Sequence, residues 1–266
     1  MDVKTHLFAI STLAVLLAPL SALSAQKPAP RTFDRHPDLT GYWKNTRESK
    51  FFWHIGKDLP DRKLPFTPAG EAAAKHNQTE TIDPESLCII GGTPRHNMTM
   101  MPFEILQSSR KVAFLYNDGT YRLIPIDPER KHSRDPDPSF FGEELGRWEG
   151  DTLVIDSVAF KDEKVWIDEY ANPMSDALHV VERWTRPDAE HIHVETLIED
   201  PKFYTKPFTY SRTWLLGNPD DQVQEFSCSE NNHPGHLGFG PGPVRKDGTI
   251  GYEDDPVPPP AKPQPR

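Results

Sequence analysis

Ionisable and aromatic side chains alternate along several short stretches of this chain. In residues 176–185, Leu178, Val180, Glu182 and Trp184 share one face of an extended segment. His179, Val181, Arg183 and Thr185 share the other. In 208–216 the bulky face is Phe208, Tyr210, Arg212, Trp214 and Leu216, and in 112–116 it is Val112, Phe114 and Tyr116. Glu182 and Arg212 therefore stand among apolar neighbours, where an unpaired charge is costly. They pair with each other, reach solvent through a bulge, or line a polar spot in a cavity.

That pattern fits proton transfer. Histidine and a desolvated carboxylate are the usual proton carriers near neutral pH, and arginine or tyrosine can steady a developing oxyanion. The expected catalytic set is His179, Glu182, Arg183, Arg122, Glu104 and Tyr116, with Trp148, Trp184, Phe114 and Tyr204 holding the substrate. Asp151, after Glu149-Gly150, reads as a turn residue, and Asp200, before Pro201, as a cap. Each candidate has an ordinary structural reading as well, as a salt bridge or turn anchor.

Other chemistries lack their signatures. No G-x-S-x-G elbow, Walker loop or dinucleotide fingerprint occurs, and residues 238–242 are interrupted by Pro241. His233 and His236 form a pair with no third ligand near them in sequence. Neither metal nor cofactor is expected.

These side chains must be positioned by strands. There are 28 prolines in 266 residues, about twice the usual share, which excludes a long-helix bundle. The formal charge of −10 argues against nucleic acid as a partner. Apolar residues make up 36%, too many for wholesale disorder. Strand patterns cover 39–44, 103–108, 111–116, 120–126, 147–149, 152–160, 176–185, 192–199, 208–216 and 222–228, most of them flanking short turns such as Asn117-Asp118-Gly119. The expected fold is all-β and mainly antiparallel, a lipocalin-like barrel of about eight or nine strands with Pro-rich termini. One short helix is predicted over 68–78, capped by Thr67 with Pro68 in its first turn.

Residues 1–25 read as a secretory signal peptide. Lys4 precedes an apolar run over 7–20, shorter than the roughly 18 residues a membrane span needs, and small residues end at Ala25. The expected address is the periplasm, without stable membrane insertion. A linker (26–36), the barrel domain (37–232) and a Gly/Pro-rich arm and tail (233–266) follow. In an oxidising compartment Cys88 and Cys228 are most simply a disulfide.

The segments GRWEGDTLVID (146–156), SDALHVVER (175–183) and DPKFY (200–204), with Cys88, Arg95, Pro102-Phe103-Glu104 and Cys228-Ser229-Glu230-Asn231, resemble a widespread group of exported bacterial proteins. The chain also looks like the exported lyases that release formaldehyde from lignin-derived phenylcoumaran dimers. Gly41-Tyr42-Trp43 resembles the start of lipocalin-like barrels, in which a late-strand arginine stacks over the tryptophan; Arg212 is the residue expected there. The resemblance and the residues together imply a periplasmic, cofactor-independent acid–base enzyme, a lyase acting on an aromatic small molecule. The alternative is a carrier of a lipophilic or aromatic ligand with the same architecture.

Overall fold

A computed structural model describes residues 27–46, 54–98, 101–161 and 165–228. The segments read as signal peptide and as Gly/Pro-rich arm and tail lie outside the described residues. Nine strands run in chain order: β1 (Gly41–Asn45), β2 (Phe103–Gln107), β3 (Lys111–Tyr116), β4 (Tyr121–Pro125), β5 (Glu143–Glu149), β6 (Thr152–Val158), β7 (His179–Thr185), β8 (His191–Glu199) and β9 (Phe208–Leu216). They form one antiparallel sheet in the order β4-β3-β2-β1-β9-β8-β7-β6-β5.

The sheet curls into a nearly closed barrel. Its ends, β4 and β5, meet through a single parallel bridge, Ile126 to Gly146, and the Asp127 N–H donates to the Gly146 carbonyl at 3.0 Å. Gly146 permits this approach: a Cβ there would lie 2.5 Å from Ile126 Cδ1. Gly150, at φ 62°, makes the β5–β6 turn, where glycine adopts a left-handed conformation without the cost an L side chain incurs.

The alternation expected along the strands is observed. Phe103, Phe114, Trp184 and Trp214 pack inside with Trp43, Ile155 and Val194. A second cluster, including Met98, Ile198, Tyr204 and Phe208, fills the other part of the core. The helix α1 (Pro68–Glu80) begins as predicted, with Thr67 Oγ1 accepting from the Gly70 N–H at 3.0 Å. Asp200 ties the 173–176 loop to the end of β8, accepting from the Ser175 N–H and Oγ at 2.7 Å each. Between β1 and β2 the chain forms short 3-10 turns at Ile55–Asp58, Pro84–Leu87 and Arg95–Asn97. The last of these is buried against the barrel lining.

Cys88 and Cys228 are bonded, with Cα atoms 5.7 Å apart. No helix is long and apolar enough to cross a membrane among the described residues. Residues 27–37, which include most of the stretch read as a linker, lie against the barrel. Arg31 bridges to Pro37 and pairs with Asp151 at 2.6 Å, and the Lys27 carbonyl accepts from Ala189.

Three expectations are corrected. Residues 222–228 form no strand, because β9 already has β1 on one edge and β8 on the other. β5 starts at Glu143 rather than 147, since seven residues pair with β6 despite a Glu-Glu-Leu-Gly start that is poor in strand formers. Arg212 does not stack over Trp43. Trp43 lies opposite Leu216, four residues and about 13 Å along the strand from Arg212. The arginine over Trp43 is Arg186, 4.9 Å from the ring centroid, which also donates to the Asp38, Asp188 and Ala189 carbonyls.

Candidate functional site

A buried polar cluster in the barrel interior is built by four strands and one 3-10 turn. β4 supplies Arg122, β5 Glu144, β7 Glu182 and β3 Tyr116. Arg122 and Glu182 are almost wholly buried. The Arg122 guanidinium donates to both Glu182 oxygens, through Nη2 to Oε2 and through Nη1 to Oε1 at 3.2 Å. Its Nε reaches Glu144 Oε1 at 2.7 Å, and its Nη1 lies 3.4 Å from the Tyr116 hydroxyl. The guanidinium plane lies over Phe114, 4.9 Å from the ring centroid. Asn97, from the buried 3-10 turn, donates its Nδ2 to Glu182 Oε1.

One cation thus faces two carboxyl groups in an apolar surround, which favours the neutral form of Glu144. Burial and the neighbouring Glu182 push Glu144 up to about 7, against the pull of Arg122. Its side chain is only 8% exposed. Burial also pushes the Tyr116 hydroxyl well above the usual tyrosine range, so it remains a proton donor despite Arg122. A carboxyl that exchanges its proton near neutral pH, beside a fixed guanidinium and a phenol, can perform general acid–base chemistry.

His96 connects this cluster toward the surface. Its ring sits edge-on to Tyr116 with centroids 4.8 Å apart, and its Nε2 lies 2.8 Å from Asp118 Oδ2. Burial acts to raise Asp118, but hydrogen bonds from His96 and Thr120 outweigh it and hold the carboxyl at about 2.

The residues expected from sequence divide between two faces. Glu182, Arg122, Tyr116, Phe114 and Trp184 come together inside. His179, Arg183 and Glu104 do not join them, because strand parity turns all three to the outer wall. Arg183 pairs with Glu149 at 2.9 Å. Glu104 faces outward between Tyr42 and Leu115. Trp148 packs against the interior cluster and stacks on His36 with centroids 4.5 Å apart. Tyr204 belongs to the second core cluster and donates its hydroxyl to the Pro173 carbonyl at 2.7 Å. Glu182 and Arg212 do not pair with each other: Arg212 binds Asp58 at 2.6 Å instead.

His179 sits in an outer chain of side chains. Its Nδ1 lies 2.8 Å from Glu199 and its Nε2 3.1 Å from Asp156; His132 Nε2 meets the same Asp156 oxygen at 2.9 Å. Hydrogen bonding to Asp156 raises His179 against the opposing effect of burial, and in return holds Asp156 at about 2. His132 and Asp156 also line a shallow groove of 190 Å³ with Arg130, Lys131 and Arg147. Among the described residues, no group of three or more His, Cys, Asp or Glu side chains is placed to hold a metal ion. His233 and His236 lie outside them.

Glu144, Asn97, His96 and Asp156 were not expected from sequence. Glu144 falls in the part of β5 without a strand pattern. Asn97 and His96 reach the site from a loop, where no periodicity marks an inward side chain. No family model, curated protein or solved structure matches this chain.

Proposed function

We propose that this protein is an exported, cofactor-independent acid–base enzyme, a lyase that cleaves an aromatic small molecule in the barrel interior. The observation that carries this reading is Glu144, a buried carboxyl with its proton equilibrium moved to about 7, set against Arg122 and beside an aromatic lining. Enzymes shift carboxylates in this way when the group must both hold and release a proton.

In the reaction, the Glu144 carboxylate takes a hydroxyl proton from the substrate. The electron pair left on that oxygen forms a carbonyl as the adjacent carbon–carbon or carbon–oxygen bond breaks. The departing fragment leaves as a carbanion equivalent or phenolate and is protonated by Glu144 or by water. Arg122 and Tyr116 provide the positive field and the hydrogen bond for the oxyanion, already oriented by Glu182. Glu182 and Asn97 are positioning residues in this scheme. His179, on the outer wall, takes no part. With a hydroxymethyl substituent as the carbonyl-forming group, the product is formaldehyde, so a phenylcoumaran dimer is the first substrate to test. The disulfide between Cys88 and Cys228 supports an oxidising address, and a periplasmic location with cleavage near residue 25 completes the proposal.

The test is incubation of the purified protein with a panel of aromatic dimers, phenylcoumarans included, with product and formaldehyde analysis. Wild type should turn over one member, and E144Q should lose at least about 100-fold in kcat. No turnover of any member, or full turnover by a folded E144Q, overturns the assignment. Binding without turnover favours the carrier.

A further inference from the structure

Trp43, Trp184 and Trp214 are each completely buried, yet only one has an acceptor for its indole N–H. Trp43 Nε1 donates to the Leu39 carbonyl at 2.9 Å. Among the described residues, Trp184 Nε1 and Trp214 Nε1 have no partner. Both rings pack edge-on against Phe103, with centroids 5.9 and 4.7 Å away, so the two unpaired donors flank one phenylalanine. Arg212 is next to them in the sheet: Val194 lies opposite both Trp184 and Arg212. Arg212 commits Nη1 to Asp58, while its buried Nε has no acceptor among the described residues.

Buried indole N–H groups ordinarily find a partner, and an unmade donor inside a protein is costly. Here three donors on neighbouring inward positions are left without acceptors, while the third tryptophan of the same interior is satisfied. At these three positions what is missing is acceptors, while the inward Thr196 hydroxyl two residues from Val194, also unpartnered among the described residues, can accept or donate. Negative charge is not required, because the Arg212 charge is already met by Asp58. The side chains around them are aromatic rings, Phe103 and Phe114 among them, which favour a flat partner.

We infer that this part of the barrel interior binds a flat, uncharged organic molecule bearing at least two acceptor oxygens of the ether or carbonyl class. Those oxygens take the N–H groups of Trp184 and Trp214, with the Arg212 Nε–H as a third donor. The inference rests on the proposed function for the aromatic class of the ligand and adds the polar groups that the ligand must carry.

The test uses two molecules of nearly equal size, 1,4-dimethoxybenzene and 1,4-diethylbenzene. The first carries two acceptor oxygens and prefers a flat conformation; the second carries none, and its greater hydrophobicity works against the expected preference. Binding to the full chain is measured by calorimetry or saturation-transfer NMR. The dimethoxy compound should bind about tenfold or more tighter. W184F and W214F keep the aromatic ring and remove the donor. Each leaves a smaller ring in a packed core and should lower Tm, and the double variant should bring the two affinities close to parity. W43F, which removes a satisfied donor, should leave the discrimination intact. Equal affinities, tighter binding of the hydrocarbon, binding of neither, or an advantage that survives in the double variant would each overturn the inference; the wild-type comparison requires no variant to fold. Ether-selective binding by a protein that turns over no aromatic dimer rejects the lyase and retains this inference. Turnover without ether selectivity does the reverse.

Discussion

Replacing Glu144 by glutamine tests the site through the protein's own stability. The amide keeps the shape and can still accept from Arg122, but it cannot ionise. In the native protein the carboxyl is raised from 4.5 to about 7. A carboxyl with a raised folded value holds its proton more tightly when folded. Its contribution is therefore fully present below about 4.5 and is lost as pH climbs to about 7. Each pH unit of displacement is worth about 1.4 kcal/mol, so most of the change, about 2.5 kcal/mol, falls between pH 5 and 8. The assay is urea unfolding of wild type and E144Q at pH 5, 6, 7 and 8. All other titrating groups are common to both proteins and cancel in the difference. The variant should gain about 2.5 kcal/mol on wild type across that range. A difference between the two proteins that stays constant with pH, within about 0.5 kcal/mol, would show that Glu144 titrates normally and remove the basis of the acid–base site.

Other outcomes follow from the same contacts. Glu182→Ala leaves the Arg122 guanidinium buried with Glu144 as its remaining carboxyl partner and should cost about 3–5 kcal/mol in chemical unfolding, whereas an exposed pair such as Arg183–Glu149 should cost less than about 1 kcal/mol on Arg183→Ala. Arg186→Ala removes the cation over Trp43 and three hydrogen bonds to carbonyls, and should lower stability by about 2–4 kcal/mol by thermal unfolding, with Arg186→Lys recovering little of it. Cys88→Ser paired with Cys228→Ser opens a loop of 140 residues and should cost about 4–5 kcal/mol, measured against the oxidised wild type. His179 is raised, so its contribution to stability is complete below about 6.5 and is lost as pH rises through its folded value; His179→Gln should flatten the stability profile above pH 6.5 without changing turnover. A large loss of turnover in that variant would return His179 to the catalytic set.

The antiparallel barrel was legible because its signal is local. A strand's alternation and the turn residues that end it are properties of neighbouring residues. So 111–116 and 208–216 could be delimited from sequence, and Glu182 could be placed on the inner face and Arg183 on the outer. The Thr67 cap and Pro68 start of α1 are local in the same sense. What parity cannot supply is the partner. Glu182 and Arg212 both read as inward charges, and pairing with each other, one of the readings open from sequence, fails because β4, remote in sequence, brings Arg122 to Glu182 while the Ile55–Asp58 turn brings Asp58 to Arg212. The same limit hid Glu144, whose strand exists only through its pairing with β6, and Asn97, delivered by an aperiodic loop. By itself, the sequence determined the alternation of faces, the turns and the two cysteines available to bond. Only the tertiary structure decided which charges share one cation, and hence where a carboxyl is buried enough to exchange its proton near pH 7. Burial and Coulomb interaction depend on distance through space, and strands far apart in the chain set that distance.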